Sequence, residues 1–92
     1  MTQVVVSLRI MPQNIDVNLS EMEQKVKSEI VDFCNSKEFK VEVQPIAFGL
    51  KALMILFVME ESIGTTEKLE SRISQLEGIE SVEVTDVRRA IG

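Results

Sequence analysis

The side chains that could do chemistry in this chain of 92 residues are mainly carboxylates, because the sequence contains no histidine and a single cysteine. Without histidine, general acid–base catalysis would depend on carboxylates and lysines held within reach of one another. Acidic residues occur close together in three places: Glu21 and Glu23, Glu60 and Glu61, and Glu77 and Glu80. Because these places lie at predicted element ends or on helix surfaces, we expect solvated charges rather than catalytic pairs. The sequence therefore predicts a protein that is not an enzyme.

Sites for a metal or a cofactor are also missing from the sequence. A structural zinc site requires about four Cys or His ligands, whereas this chain offers only Cys34. Cys34 falls on the apolar side of a predicted helix, where we expect a reduced thiol packed against the core. The 4 glycines stand apart from one another, and a phosphate-binding loop needs several of them together. We therefore expect neither a metal nor a bound cofactor.

The net charge and the length of the apolar segments indicate whether the chain binds nucleic acid or a membrane. The formal net charge is −5, and a surface of this sign repels nucleic acid unless a basic patch outweighs it. The only adjacent basic residues near a chain end are Arg88 and Arg89, and no Tyr or Trp is present to stack on bases. No apolar stretch reaches the ~18 residues of a membrane span, and the first residues lack the pattern of a signal peptide. We expect a cytoplasmic protein that binds neither nucleic acid nor membrane.

One short segment, QPIAFGLKAL at residues 44–53, places an aromatic and a glycine between two extended runs. Gly49 is typical of a turn that requires a positive φ. In one interpretation Phe48 folds back from this turn onto the core. In the other, Phe48 is an exposed anchor for a partner protein and is flanked by Lys51. The sequence alone leaves both interpretations open.

The elements around this turn follow from hydrophobic periodicity. Period-two patterns predict strands over residues 4–10, 39–44, 50–60 and 79–87. Apolar residues at helical spacing predict a first helix that begins after Asn18 and ends near residues 35–36. A second helix is predicted to begin at Thr65 or Thr66 and to stop at Gly78. The proline at position 45 belongs on an edge strand or at a strand end, because it has no N–H.

The order of these elements is β-α-β-β-α-β, in one domain spanning residues 1–92. Right-handed crossovers place both helices on one face of a four-stranded antiparallel sheet, so the predicted class is α+β with the ferredoxin-like arrangement. The third strand is apolar on both of its faces. It should therefore lie inside the sheet, and its second face is either covered or leaves apolar surface exposed.

Three segments carry a resemblance to a known family. They are PIAFGLKAL at residues 45–53, VMEE at 58–61 and VEVTDVRR at 82–89. Together with the opening alternation, they resemble archaeal translation elongation factor 1-beta and the C-terminal exchange domain of its eukaryotic counterpart. The resemblance covers the whole chain. It implies one guanine nucleotide exchange domain that promotes GDP release from elongation factor 1-alpha, the GTPase that delivers aminoacyl-tRNA to the ribosome.

The resemblance also implies which residues contact that GTPase. Phe48 matches the family's hairpin aromatic, and Gly49, Leu50 and Lys51 match its neighbours. Asp86 matches the acidic residue near the family's C-terminus. The eukaryotic domain ends in a lysine that disturbs the magnesium site of the GTPase, but the aligned positions here, 91 and 92, are Ile and Gly. Arg88 and Arg89 lie earlier in the chain and are the candidates to replace it.

A second hypothesis belongs to a different class of function. A ferredoxin-like domain can serve as a regulatory or assembly module, because this fold supports many functions. Such a module would bind a small effector or a second copy of itself through the helix-free face of the sheet. The exchange-factor hypothesis instead implies a chain that is a monomer when free. Release of labelled GDP from the GTPase distinguishes the two hypotheses.

Overall fold

A computed structural model describes residues 2–36 and 38–89 of the chain. Four strands form one antiparallel sheet in the order β2-β3-β1-β4. Both helices pack on the same face of this sheet, and the ferredoxin-like prediction is confirmed. In chain order the elements are β1 (Gln3–Pro12), α1 (Leu19–Cys34), β2 (Phe39–Ala47), β3 (Leu50–Glu60), a 3-10 turn (Glu61–Ile63), α2 (Glu67–Ser74) and β4 (Ile79–Arg89).

The core lies between the sheet and the two helices, and alternation along the strands builds it. Every second residue of the two central strands is buried, and its partner across the β1–β3 pairing is buried as well. Each such side chain contributes about 1.5–3 kcal/mol relative to an exposed one. The buried set comprises Val4, Val6, Leu8 and Ile10 of β1, Leu53, Ile55, Phe57 and Met59 of β3, Met22, Val26 and Ile30 of α1, Leu69 and Ile73 of α2, and Ile79 of β4.

The first helix has well-defined ends. The Asn18 side chain accepts a hydrogen bond from the Glu21 N–H at 3.1 Å, as the predicted cap requires. At the other end Asn35 adopts a left-handed conformation with φ of 55°, and its N–H donates to the Val31 carbonyl at 2.7 Å. Asparagine tolerates this conformation better than most residues. The helix is therefore fixed by its termini as well as by its buried face.

The second helix is shorter than the sequence pattern predicts. It ends at Ser74, whereas the prediction extended it to Gly78. The N–H groups of Gln75 and Leu76 donate to carbonyls three residues earlier, which tightens the chain into turns. Gly78 then has a φ of +89° and redirects the chain into β4. Gly78 therefore marks the end of the loop between α2 and β4, whereas the helix itself ends earlier, at Ser74.

Ion pairs join the two helices on their solvent side. Arg72 of α2 lies 2.8 Å from the Glu29 carboxylate and also contacts the Asp32 carboxylate, and both acidic residues belong to α1. The hydrogen bond to Asp32 raises the pKa of the Arg72 guanidinium. These ion pairs link α1 to α2 on the side of the helices that faces away from the sheet, so we assign them a role in holding the two helices together.

The outer strand β2 contains Pro45, and the prediction of an edge position is confirmed. The pairing with β3 becomes irregular between Pro45 and Ala47, which is how edge strands accommodate a proline. The central strand β3 is buried on the helix side. On the other side Met54, Leu56 and Val58 are half-buried, so the second apolar face of this strand remains partly open to solvent.

Candidate functional site

The turn between β2 and β3 consists of Phe48 and Gly49, with Ala47 and Leu50 paired at its base. Both turn residues have positive φ, 53° for Phe48 and 80° for Gly49. This combination is characteristic of a type I′ two-residue hairpin turn. The Phe48 side chain is 100% exposed. The interpretation in which Phe48 folds back onto the core is therefore wrong, and the ring projects into solvent from a short turn.

The backbone at Phe48 is under strain. A non-glycine residue with positive φ is uncommon, and bulky residues are rarer there than Asn or Asp. Such a conformation costs about 1–3 kcal/mol. No contact of the fully exposed ring with its own chain offsets this cost. Strain at an exposed aromatic residue that serves no packing role is the kind of outlier that points to function.

Exposed apolar side chains that the sequence analysis did not identify also occur in β2 and in the β1–α1 loop, next to the turn in sequence or in space. We call the set formed by Ile15, Val43, Ile46 and Phe48 the apolar tip; these residues are 66%, 50%, 44% and 100% exposed. Ile15 lies in the β1–α1 loop beside the turn, since a Cβ added to Gly49 would be 3.9 Å from its Cγ2 atom. The available signal was a large apolar residue in an otherwise polar loop, QNID at residues 13–16.

A cleft separates the β1–α1 loop from the base of the hairpin. Its volume is about 360 Å³, and Asn14, Ile15, Gly49 and Lys51 are among its lining residues. Lys51 is exposed and Leu50 is half-buried. The four hairpin residues named from the sequence are therefore together at one end of the molecule, with a projecting ring and an adjacent depression.

The last strand contains a β-bulge near its C-terminal end. Ser7 is paired with Asp86, whereas Leu8 is paired with Val84, so Thr85 is the additional residue. The Thr85 hydroxyl donates to the Ser7 carbonyl at 3.3 Å. One extra residue exchanges the faces of all side chains that follow it. The bulge therefore determines the direction in which the terminal side chains of β4 point.

Arg88 and Arg89 lie on opposite faces of the sheet, and the bulge determines which face each of them occupies. Arg89 is opposite Val4, which is buried under the helices, while Arg88 is opposite Val5 on the helix-free face. Side chains of consecutive strand residues always alternate in this way. The two arginines are adjacent in sequence, but they cannot approach one ligand as a pair.

Each arginine has an acidic neighbour in its own chain. Arg88 pairs with Asp86, and Arg89 pairs with Glu61 at 3.3 Å. The arginine side chains are nevertheless 80% and 75% exposed, respectively. Exposed ion pairs contribute only ~0–1 kcal/mol, so a partner could replace either pair at little cost. The positions aligned with the family's terminal lysine, Ile91 and Gly92, lie outside the described residues.

The structure does not bring the two groups of predicted contact residues together. Arg89 is opposite Val4, and Val4 is opposite Met59, whereas the apolar tip lies at the start of β3, at Leu50. The strand from Leu50 to Met59 spans about 30 Å at ~3.3 Å per residue. The long dimension of the molecule is 42 Å. The tip and the arginines therefore occupy opposite ends of an elongated domain.

The single cysteine, Cys34, lies in surroundings that favour a packing role over a reactive one. Burial raises the pKa of the Cys34 thiol, and the thiol donates to the Ile30 carbonyl at 3.4 Å. A thiol with a raised pKa is a poor nucleophile at neutral pH.

Across residues 2–36 and 38–89, no three His, Cys, Asp or Glu side chains are grouped so as to hold a metal ion. Neither α1 nor α2 has the length and apolar character of a membrane span.

Comparison with protein families gives a match over nearly the whole chain. Residues 5–90 match the EF-1 guanine nucleotide exchange domain. Among similar sequences, the elongation factor 1-beta of Methanocella arvoryzae is 40% identical over 90 residues, covering 98% of this chain and 99% of that protein. Those of Staphylothermus marinus and Methanothermobacter thermautotrophicus are 39% and 37% identical, each covering 97% of this chain and 98% of the relative.

Solved structures resemble the fold. The de novo designed protein Foldit4 aligns with a TM-score of 0.61 at 23% identity and covers 98% of each chain. The C-terminal domain of the MgtC protein from Mycobacterium tuberculosis aligns with a TM-score of 0.55 at 16% identity, covering 97% of this chain and 88% of that domain. At these identities the likeness concerns architecture alone.

Proposed function

The chain belongs to the family of EF-1 guanine nucleotide exchange domains, and we propose that it promotes GDP release and GTP reloading on elongation factor 1-alpha by direct protein contact. One observation carries this proposal beyond the family match. A fully exposed Phe48 is held at a strained turn, in the segment that resembles the family's hairpin motif. Aromatic side chains of this kind are frequent anchors of protein interfaces. As a factor of translation, the protein would act in the cytoplasm.

The proposed mechanism is thermodynamic coupling between two ligands of the GTPase. A factor that binds the nucleotide-free GTPase more tightly than the GDP-bound form must weaken GDP binding by the same ratio. A ~100-fold weakening corresponds to about 2.7 kcal/mol. Contacts by a few exposed side chains can supply a free energy of this size. No covalent bond is made or broken, so the mechanism requires no catalytic group on this chain.

The two ends of the molecule would have different roles. We propose that the turn residues Phe48, Gly49, Leu50 and Lys51 anchor the GTPase. The β4 end, with Asp86, Arg88 and Arg89, would act about 30 Å away on the magnesium site or on a switch segment. Since the two arginines face opposite ways, one of them at most would face the magnesium site. A GTPase that contacts both the turn and the β4 end must present two surfaces about 30 Å apart.

The decisive experiment uses the cognate elongation factor 1-alpha loaded with a fluorescent GDP. The wild-type chain is added with an excess of unlabelled GDP, and release of the label is followed by fluorescence. We expect a release rate that increases with chain concentration and then saturates. A release rate that does not respond to a folded wild-type chain would overturn the proposal.

The helix-free face of the sheet supports the second hypothesis of an assembly module. Met54, Leu56 and Val58 remain half-buried there, and a second copy of the chain could cover them. Sedimentation of the chain alone over a range of concentrations tests this hypothesis. A constant monomeric mass combined with active GDP release would exclude self-association as the main function.

A further inference from the structure

The apolar tip contains a residue outside the hairpin motif, and its position suggests that two separate loops form one contact. Ile15 belongs to the β1–α1 loop and Phe48 to the β2–β3 turn, yet Ile15 lies against Gly49, the residue next to Phe48. An exposed isoleucine contributes nothing to the core and leaves apolar surface in water. Val43 and Ile46 on the edge strand, which leads into the same turn, are also exposed.

We propose that Ile15 and Phe48 together bind one apolar surface of the GTPase, with Ile15 forming the second half of the anchor. This inference rests on the proposed function, because it takes elongation factor 1-alpha as the occupant of the tip. It adds a loop and a residue to the contact, and it specifies the chemistry of the surface that accepts them.

The charge distribution defines that chemistry. Residues 13–18 and 43–51 contain one acidic and one basic side chain, Asp16 and Lys51, whereas the whole chain carries −5. The tip is thus electrically neutral on an acidic protein. A basic surface would be attracted to the rest of the molecule rather than to its tip. The complementary surface is therefore an apolar one, with a pocket for an aromatic ring.

The cleft beside the turn gives the contact a definite shape. The projecting Phe48 ring stands next to a depression of about 360 Å³ that Ile15 and Gly49 line. A partner that encloses the ring must also cover Ile15, since the two residues flank the same glycine. A two-residue turn leaves the backbone at Phe48 few alternative conformations. A preorganised contact of this kind loses little entropy on binding.

The experiment compares Ile15→Ala with a matched control, Val31→Ala, in which an exposed aliphatic residue of α1 is truncated. Both positions are exposed, at 66% and 43%, so both variants should keep the wild-type melting temperature within about 3 °C. Affinity for the nucleotide-free GTPase is measured by titration. We expect Ile15→Ala to weaken binding about 5–10-fold and Val31→Ala to change it less than about twofold.

Two further measurements separate a shared apolar surface from independent contacts. The effects of Ile15→Ala and Phe48→Ala should be non-additive in the double variant, since both side chains would leave the same partner pocket. A fully exposed Phe48 touches no side chain of its own chain, so this coupling must arise in the complex. The ratio between wild-type and Ile15→Ala affinities should also be unchanged by salt, because no charge is removed.

The outcomes distinguish failure of this inference from failure of the proposed function. If the wild-type chain accelerates GDP release but Ile15→Ala binds the GTPase as tightly as wild type, the inference is overturned and the proposed function stands. If the wild-type chain neither binds the GTPase nor accelerates release, both are overturned. If the free chain self-associates and Ile15→Ala abolishes that association, the occupant is a second copy, and the inference is overturned in favour of a dimer contact.

Discussion

At the scale of single residues, the clearest contrast is between two phenylalanines of one long hairpin. Phe48 is 100% exposed and Phe57 is 1% exposed, so the same substitution should have opposite consequences. We expect Phe48→Ala to slow GDP release while leaving stability almost unchanged, since Ala at a positive φ is strained much as Phe is. Truncating an interface anchor typically costs ~2 kcal/mol or more of binding. Release kinetics and thermal unfolding are measured on the same preparation.

Phe57→Ala serves as the control for that prediction. Truncating a buried phenylalanine costs about 3–5 kcal/mol of stability, which is a large part of the ~5–15 kcal/mol of a typical domain. The release rate per folded molecule should nevertheless be normal. A Phe48→Ala protein that loses this much stability and exchanges normally when folded would show that Phe48 packs in the core.

The strain at Phe48 leads to a second prediction. Asn tolerates a positive φ, and Asn-Gly is the preferred pair in a type I′ turn. Phe48→Asn should therefore stabilise the fold by about 1 kcal/mol and raise the melting temperature by roughly 4–8 °C. The same variant should slow GDP release as Phe48→Ala does. A variant that is neither more stable nor slower would show that the turn is unstrained and has no role in the contact.

The arginines give a third prediction at this scale. Because Arg88 and Arg89 lie on opposite faces of the sheet, the single variants Arg88→Ala and Arg89→Ala should differ from each other. The arginine that competes with magnesium should slow release most at high magnesium concentration, where the metal is hardest to displace. GDP release is therefore measured for both variants across a magnesium titration.

The double variant Arg88→Ala/Arg89→Ala completes this test. Its curve should coincide with that of the more affected single variant. If the wild-type and double-variant curves are the same at every magnesium concentration, the arginines only pair with Asp86 and Glu61, and the contact is confined to the apolar tip.

At the scale of elements, the sequence predicts best where periodicity and end signals agree. The strand predicted over residues 50–60 coincides with the observed β3, and the cap at Asn18 marks the start of α1. The prediction fails for α2, where apolar spacing continues past the last helical turn to Leu76. Periodicity identifies the buried side of a segment, but it does not show where helical hydrogen bonds change to tighter turns.

The helix cap provides a prediction at the element scale. Asn18→Ala removes the side-chain oxygen that accepts from the Glu21 N–H and should destabilise the protein by about 1 kcal/mol. Chemical denaturation should show a lower midpoint with an unchanged slope, because the surface exposed on unfolding is the same. Asn18→Asp, which retains an acceptor, should stay close to wild type. Equal losses for the two variants would mean that the cap does not stabilise α1.

The bulge in β4 is an element-scale feature that the sequence does not reveal. Val82 and Val84 alternate regularly, and nothing in the residues that follow marks Thr85 as an additional position. Its effect depends on pairing with β1, which is distant in sequence. Adjacency on a strand places Arg88 and Arg89 on opposite faces, but which of the two faces each arginine occupies could not be predicted from the sequence.

At the scale of the whole molecule, the fold and the turn were predictable, whereas the spatial arrangement of the site was not. Local patterns fix the order of the elements, and the right-handed crossover rule places the helices. The exposure of Phe48 and the approach of Ile15 to Gly49 depend on how segments distant in sequence come together. The separation of about 30 Å between the tip and the arginines depends on strand register. Neither property is encoded in a short segment.

The central claim is that this chain favours the nucleotide-free form of elongation factor 1-alpha, and one thermodynamic comparison tests it directly. Affinity of the chain is measured for the GTPase loaded with GDP and magnesium and for the nucleotide-free GTPase. Affinity of the GTPase for GDP is then measured with and without saturating chain. Linkage requires the two ratios to be equal. The proposed mechanism predicts a common ratio of about 100, or 2.7 kcal/mol. Equal affinity for the two forms of the GTPase, with GDP binding unchanged by the chain, would contradict the claim.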